Sequence, residues 1–176
     1  MLADLTPLIA ATARWLMTAF PPDGGVIASA LCEAQARQAV TVAAWLRYPT
    51  ALDAGLVAMT GAGGSSRLDW ITGADPAQDP ETAETAWRTW VDEVVASWAA
   101  DFLADPDLAC RAVDALAGGE HTAAARVDFR RLRTPDEGDR RAGALLRHPD
   151  LLAPVAELHR AQLLARLDEC GRAALN

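Results

Sequence analysis

Residues 80–103 read PETAETAWRTWVDEVVASWAADFL. Trp87, Trp90, Val91, Val94, Trp98 and Phe102 recur at i, i+3, i+4, i+7, i+11 and i+15, which puts them on one side of a helix. Glu84, Arg88, Asp92, Glu93 and Asp101 lie mostly on the other side. The spacing predicts one helix from Pro80 to Leu103, with a wide aromatic face and an acidic face. No other stretch offers so broad an apolar stripe, so this helix is expected to be the hub of the fold. The Trp87/Trp90/Trp98 stripe suits either a core or a partner interface, because tryptophan is favoured in both.

Helix-start signals recur on both sides of this stretch. Thr6-Pro7, Asp79-Pro80, Asp105-Pro106 and Thr134-Pro135 each set a capping residue before a proline. Proline suits the first helical position, and the preceding Thr or Asp accepts a bond from an orphan N–H. Thr134 with Glu137 also reads as a capping box. Helices are therefore expected from about Pro7 to Phe20, from the Asp23-Gly24-Gly25 start to about Arg47, and, capped by Thr50 with Asp53 at the third position, to about Met59. Others follow Asp105, span 135–147, and run from Pro149 or Pro154 to Cys170, with Gly171 as the stop. Ile27, Leu31, Ala34, Val42 and Trp45 are expected on the buried face of the second helix. Leu145 and Leu146 are both expected inside. Residues 120–133 fit a helix better than a short strand. Residues 60–79, TGAGGSSRLDWITGADPAQD, form the long irregular stretch, with Trp70-Ile71 pinning it to the body.

The expected fold is all-α: a single domain over residues 1–176, an irregular orthogonal or up-down bundle of about six to eight helices. An internal boundary, if any, falls in 60–79. The chain carries 16 basic residues, all arginine, against 24 acids, a net charge of −8. Residues 1–110 hold 5 Arg and 14 acids, and residues 111–176 hold 11 Arg and 10 acids. Such a balance disfavours nucleic acid and anionic membrane as partners of the whole surface. The lack of lysine fits GC-rich, bacterial coding. Three scattered cysteines, Cys32, Cys110 and Cys170, read as reduced thiols in a cytoplasm. The first 20 residues lack a secretory pattern, and no apolar run reaches a bilayer's width.

Sites of chemistry are sparse. Gly61-x-Gly63 after GLVAMT imitates a dinucleotide fingerprint, but position 66 is Ser and no βαβ unit surrounds it. His121, His148 and His159 have no metal-ligand spacing with the cysteines. No catalytic, cofactor-binding or metal-binding residue is assigned. The strongest charged feature is the run Arg126, Arg130, Arg131, Arg133, Arg140, Arg141 and Arg147, against Asp128, Asp136, Glu137 and Asp139. Arg126, Arg130 and Arg133 would share a helix face, and most of the run is expected to pair with the chain's own acidic half. Arg126, Arg130, Arg133, Arg140, Arg141 and Trp70 are the candidate partner contacts. The expected function is non-catalytic protein binding, as assembly chaperone, adaptor or structural subunit, with a homodimer admitted. Two alternatives stand beside it: a nucleic-acid-associated regulator using 126–147, and an enzyme or ligand-binding domain with 60–79 as its lid.

Overall fold

Two helices that cross through buried alanines form the centre of the chain. A computed structural model describes residues 4–74, 85–125 and 127–173. It contains eleven α-helices and no strand among the described residues, and eight of the helices have seven residues or more. These are α1 (Thr6–Ala19), α2 (Gly25–Arg47), α3 (Ala51–Thr60), α4 (Ser66–Thr72), α5 (Glu93–Ala104), α6 (Pro106–Ala115), α7 (Glu120–Ala124), α8 (Arg130–Arg133), α9 (Glu137–Ala142), α10 (Pro149–Ala156) and α11 (Arg160–Ala173). A 3-10 turn covers Ala86–Trp90.

The most extensive helix contact joins α2 to α5. Ala36, Ala39, Ala43 and Ala44 on α2, and Ala96, Ala99 and Ala100 on α5, are fully buried. Side chains this small let helix axes approach closely. Residues 42–46 of α2 are buried without interruption, so this end is surrounded on all sides. α1 packs along α2, α10 covers α5, and α8 and α9 rest on α2. The exposed N-terminal turn of α2, with Val26 and Ile27 outside, departs from the expected buried face. Among the described residues, no helix is long and apolar enough to cross a membrane.

The stretch 80–103 is not one continuous helix. Residues 80–84 lie outside the described residues; the remainder divides into the 3-10 turn and α5, with Val91 extended between them. The cause is an exchange of hydrogen-bond partners. In an unbroken helix Val95 N–H would donate to Val91 O. Here it donates to the Asp92 carboxylate at 3.0 Å, and Val91 O accepts from Gly64 N–H at 2.9 Å instead. Asp92 is thus an N-cap. Trp98 and Phe102 are core, whereas Trp87 and Trp90 are only half-buried. The hub role is shared: α2 is as central as α5.

Several caps match the sequence and several are displaced. Asp105 accepts from Asp107 N–H and Leu108 N–H, and Thr50 with Asp53 forms a complete capping box. At α1, Thr6 is already helical, and its N–H donates to Asp4 at 2.8 Å. At α9 the box is Asp136 with Asp139, not Thr134 with Glu137. The C-terminal segment is two helices rather than one, and Gly171 lies inside α11. Residues 120–133 are helical at both ends and irregular at 127–129. Asp79-Pro80 lies outside the described residues.

Asp69, buried on α4, ties three segments together. It accepts from Trp15 Nε1 at 2.9 Å, Ser65 Oγ at 2.8 Å and Arg88 Nη1 at 2.9 Å. Removing it leaves three donors unpaired, one of them a cation. Asp69→Ala is expected to lower unfolding stability by about 3 kcal/mol, and Asp69→Asn by less. Tryptophan fluorescence in urea measures both; an unchanged midpoint for Asp69→Ala would contradict the role.

Candidate functional site

The arginine-rich segment divides into buried ties and exposed charges. α8 is hung from α2 by Gln38, which accepts from Leu132 N–H at 3.0 Å and donates to Asp128 O at 2.7 Å. Arg131 donates to the fully buried Asp139 at 2.5 Å. Arg147 is half-buried: it donates to Gln35 Oε1, to Leu103 O at 3.2 Å and to Arg131 O at 2.7 Å. Gln35 in turn donates to Asp139 O at 2.9 Å. Burial pulls the Arg147 guanidinium down to about 10, against the opposing field of Asp139. Cys32 beside this network donates to Ala142 O at 2.8 Å, and burial pushes its thiol above the usual range. It is a packed thiol, with little thiolate for chemistry.

Of the candidate contact residues, Arg130, Arg133, Arg140 and Arg141 are exposed. Arg130 lies 3.9 Å from Asp136, Arg133 3.3 Å from Asp114, and Arg141 2.5 Å from Glu137. Pairs this exposed hold weakly. Their acids come from the C-terminal third, not from the acidic half expected to supply them. Among the described residues, no acidic side chain is placed against Arg140. Arg126 lies outside the described residues, so the proposed face with Arg130 and Arg133 does too.

Trp70 is 82% exposed, and it does not pin residues 60–79. Leu68 and Asp69 do, both buried on α4. Its neighbours Ile71 and Thr72, not Trp70 itself, line an apolar cleft of about 300 Å³. The cleft runs between the end of α1 (Phe20), the end of α4 (Ile71), Leu145, and α10 (Leu151, Pro154, Val155), with Asp150 at its polar side. Leu145 and Leu151 are exposed, which corrects the expectation that Leu145 is internal; only Leu146 is. Periodicity could not show this, because α4 has two turns and Leu145 lies in a non-helical turn after α9.

The histidines and the buried acids serve the fold. His121 stacks on Trp45, with centroids 5.4 Å apart, and its Nε2 sits 2.7 Å from Tyr48 O. His159 Nε2 lies 2.7 Å from Glu93 Oε1 at the α10–α11 turn. No cluster of three metal-ligating side chains occurs among the described residues. Asp101 on α5 is the acid whose affinity for protons departs furthest in the useful range. Burial raises it to about 6, although Arg160 of α11 donates to one oxygen; the other oxygen has no partner.

The folded-state pKa of Asp101 exceeds its ordinary value, so the folded protein holds a proton that the unfolded chain has lost between about pH 4 and 6. Its contribution to stability therefore falls as pH rises through that window and is level above it. Asp101→Asn should remove this component, up to about 3 kcal/mol between the wild-type and variant profiles. Urea unfolding of both proteins at pH 4 to 7 reads the difference; parallel profiles would show that Asp101 titrates normally. Comparison of the chain with models of known protein families, with characterised proteins and with solved structures finds no match, so its functional reading rests on the contacts above.

Proposed function

We propose that the protein is a non-catalytic, protein-binding helical protein, an adaptor, assembly chaperone or structural subunit that docks a partner at the α1–α4–α10 cleft. The observation that carries this reading is the apolar cleft itself, whose lining residues Leu145 and Leu151 are 40% and 44% exposed, with the 82% exposed Trp70 next in sequence to the lining residue Ile71. Tryptophan is the side chain most enriched at interface hot spots. Exposed leucines gathered along one cleft are a local apolar surface of the kind that partner sites use. Asp150 and Thr72, both among the lining residues, supply polar groups at its edge. Three free cysteines, Cys32 buried and Cys110 and Cys170 half-buried, suit a reducing, cytoplasmic compartment.

The nucleic-acid reading draws less support. Arg131 and Arg147 are engaged inside the fold, and Arg130, Arg133 and Arg141 already have carboxylates beside them. The enzyme reading relied on 60–79 as a lid; within that stretch Ser66–Thr72 is a helix anchored by Leu68 and Asp69, and 75–79 lie outside the described residues.

Affinity purification from the source cell, with the wild type beside the double variant Trp70→Ala/Leu151→Glu, tests the proposal. The two side chains are exposed, so the variant is expected to keep its helical circular dichroism. A partner recovered by the wild type should fall at least about tenfold with the variant, a loss of about 1.4 kcal/mol of binding. Equal recovery by both would remove the cleft as the docking site.

A further inference from the structure

α11 is joined to the bundle at a polar pivot. Ser97 Oγ donates to Ala156 O at 2.8 Å and accepts from His159 N–H at 3.1 Å, and Trp98 Nε1 donates to His159 O at 3.2 Å. These bonds fix the turn 157–159 to the middle of α5, while Leu152, Val155 and Ala156 keep α10 buried before it. Beyond the pivot the hold is slighter. Of the 14 residues of α11, Leu163 and Leu167 are buried, and the helix rests on α5 and α6. Arg166 Nε donates to Leu46 O at 3.2 Å, and Arg111 and Asp168, both exposed, lie 3.7 Å apart. A further tie comes from the first residue of the helix, Arg160, which donates to Asp101 of α5.

Asp101 is a poor anchor as an anion. It is 1% exposed, and its second oxygen has no partner among the described residues. Arg160 is half in water, with 45% of its side chain exposed, so its charge is screened. Glu157 of the turn and Asp105 at the α5–α6 junction add negative charge around the carboxyl. The other elements packed on α5 bring no compensating cation: Asp107, Arg111 and Asp114 of α6 and Asp150 of α10 are exposed, α2 meets α5 through alanines, and α1 reaches it through Thr12 at Asp92. The neighbouring titratable contact is His159 Nε2 at 2.7 Å from Glu93, which Arg67 of α4 also approaches at 3.4 Å. A neutral carboxyl suits a dry site of this kind, and an ionised one with an unpaired oxygen does not. We infer that α11 is a proton-held helix: the neutral Asp101 carboxyl keeps it seated on α5 and α6, and ionisation of Asp101 releases it about the 157–159 pivot. Burial raises the seated carboxyl to about 6, and water reaching it on release returns it to the ordinary carboxylate range. The seated state therefore holds the extra proton, and seating weakens as pH rises from about 4 to 6 and is level above. Release bares Leu163 and Leu167, and opens the cavity of about 70 Å³ that Arg166 and Cys170 close against Trp45 and His121.

Hydrogen exchange of the whole chain tests it, read peptide by peptide with labelling times scaled to the intrinsic rate at each pH. Protection of 160–173 should fall about tenfold from about pH 5 to about pH 7.5. The opening should be insensitive to low urea, because a local release exposes little surface. Protection of α9, which rests on α2, should not follow this profile. Asp101→Asn keeps a neutral side chain and should leave 160–173 protected at every pH. Arg160→Gln, at an exposed position, should move the loss of protection to higher pH, since Arg160 opposes the effect of burial on Asp101. Protection of 160–173 that does not vary with pH in the wild type overturns the inference. An opening of 160–173 as steep in urea as that of α2 overturns it too, because the titration then belongs to global unfolding. A response kept in full by Asp101→Asn and lost in His159→Gln assigns the switch to the Glu93 contact and overturns the role of Asp101.

Discussion

The Asp92 carboxylate stands at the junction of three helices, and the rest of the bundle is arranged by what it binds. It caps α5 through Val95 N–H and accepts the Tyr48 hydroxyl from the end of α2 at 2.5 Å. Its own N–H reaches Thr12 Oγ1 of α1 at 3.4 Å. Burial, with the hydrogen bond to Asp92 second, pushes the Tyr48 phenol up to about 12, so the hydroxyl stays a donor at any ordinary pH. Because Asp92 ends the helical path at Val91, the carbonyls of Thr89 and Val91 are released to the glycine amides after α3. One side chain thus starts α5, orients α2 against α1, and provides the anchorage from which α3 projects.

A second polar centre does the same work at the opposite side of α2. Gln35, Asp139, Arg131 and Arg147 connect α2, α8, α9, the end of α5 and the turn before α10. Each guanidinium nitrogen of Arg147 meets an oxygen, although none of those oxygens belongs to a carboxylate. Satisfied networks of this kind favour one packing arrangement, since another would leave a half-buried cation without its partners. Gly143 belongs to the same joint: a methyl group there would come within 3.2 Å of Asp139 O and of the Gln35 amide. Short helices such as α8 and α9, too brief to be stable alone, are kept in place by these bonds rather than by a broad apolar face.

The all-helical class was legible because its signals are local. Apolar periodicity marks α1, α2 and α5, and the Asp105-Pro106 and Thr50–Asp53 pairs cap their helices as their spacing implies. Asp92 was not legible. An acid between apolar positions reads as a solvent-facing residue, and its partners Tyr48 and Thr12 are 44 and 80 residues away. The division of the arginines failed for the same reason. Arg131 and Arg147 are half-buried only because Asp139, Gln35 and two carbonyls meet them in space. Trp70 was half legible: an unusual residue in an irregular stretch singled it out, but α4 has only seven residues, too few for periodicity to show which side faces inward. The Leu145–Leu151 margin of the cleft was hidden in the same manner.

α3 is specified by its two ends and hardly at all by its underside. Thr50, Asp53 and the glycine turn determine where it begins and stops, while only Ala54 and Val57 touch the interior. Positions 52, 56 and 59 are exposed and thereby uncoupled from folding. They can be exchanged for other side chains without disturbing the core, so they can change over evolutionary time while the bundle behind them stays the same.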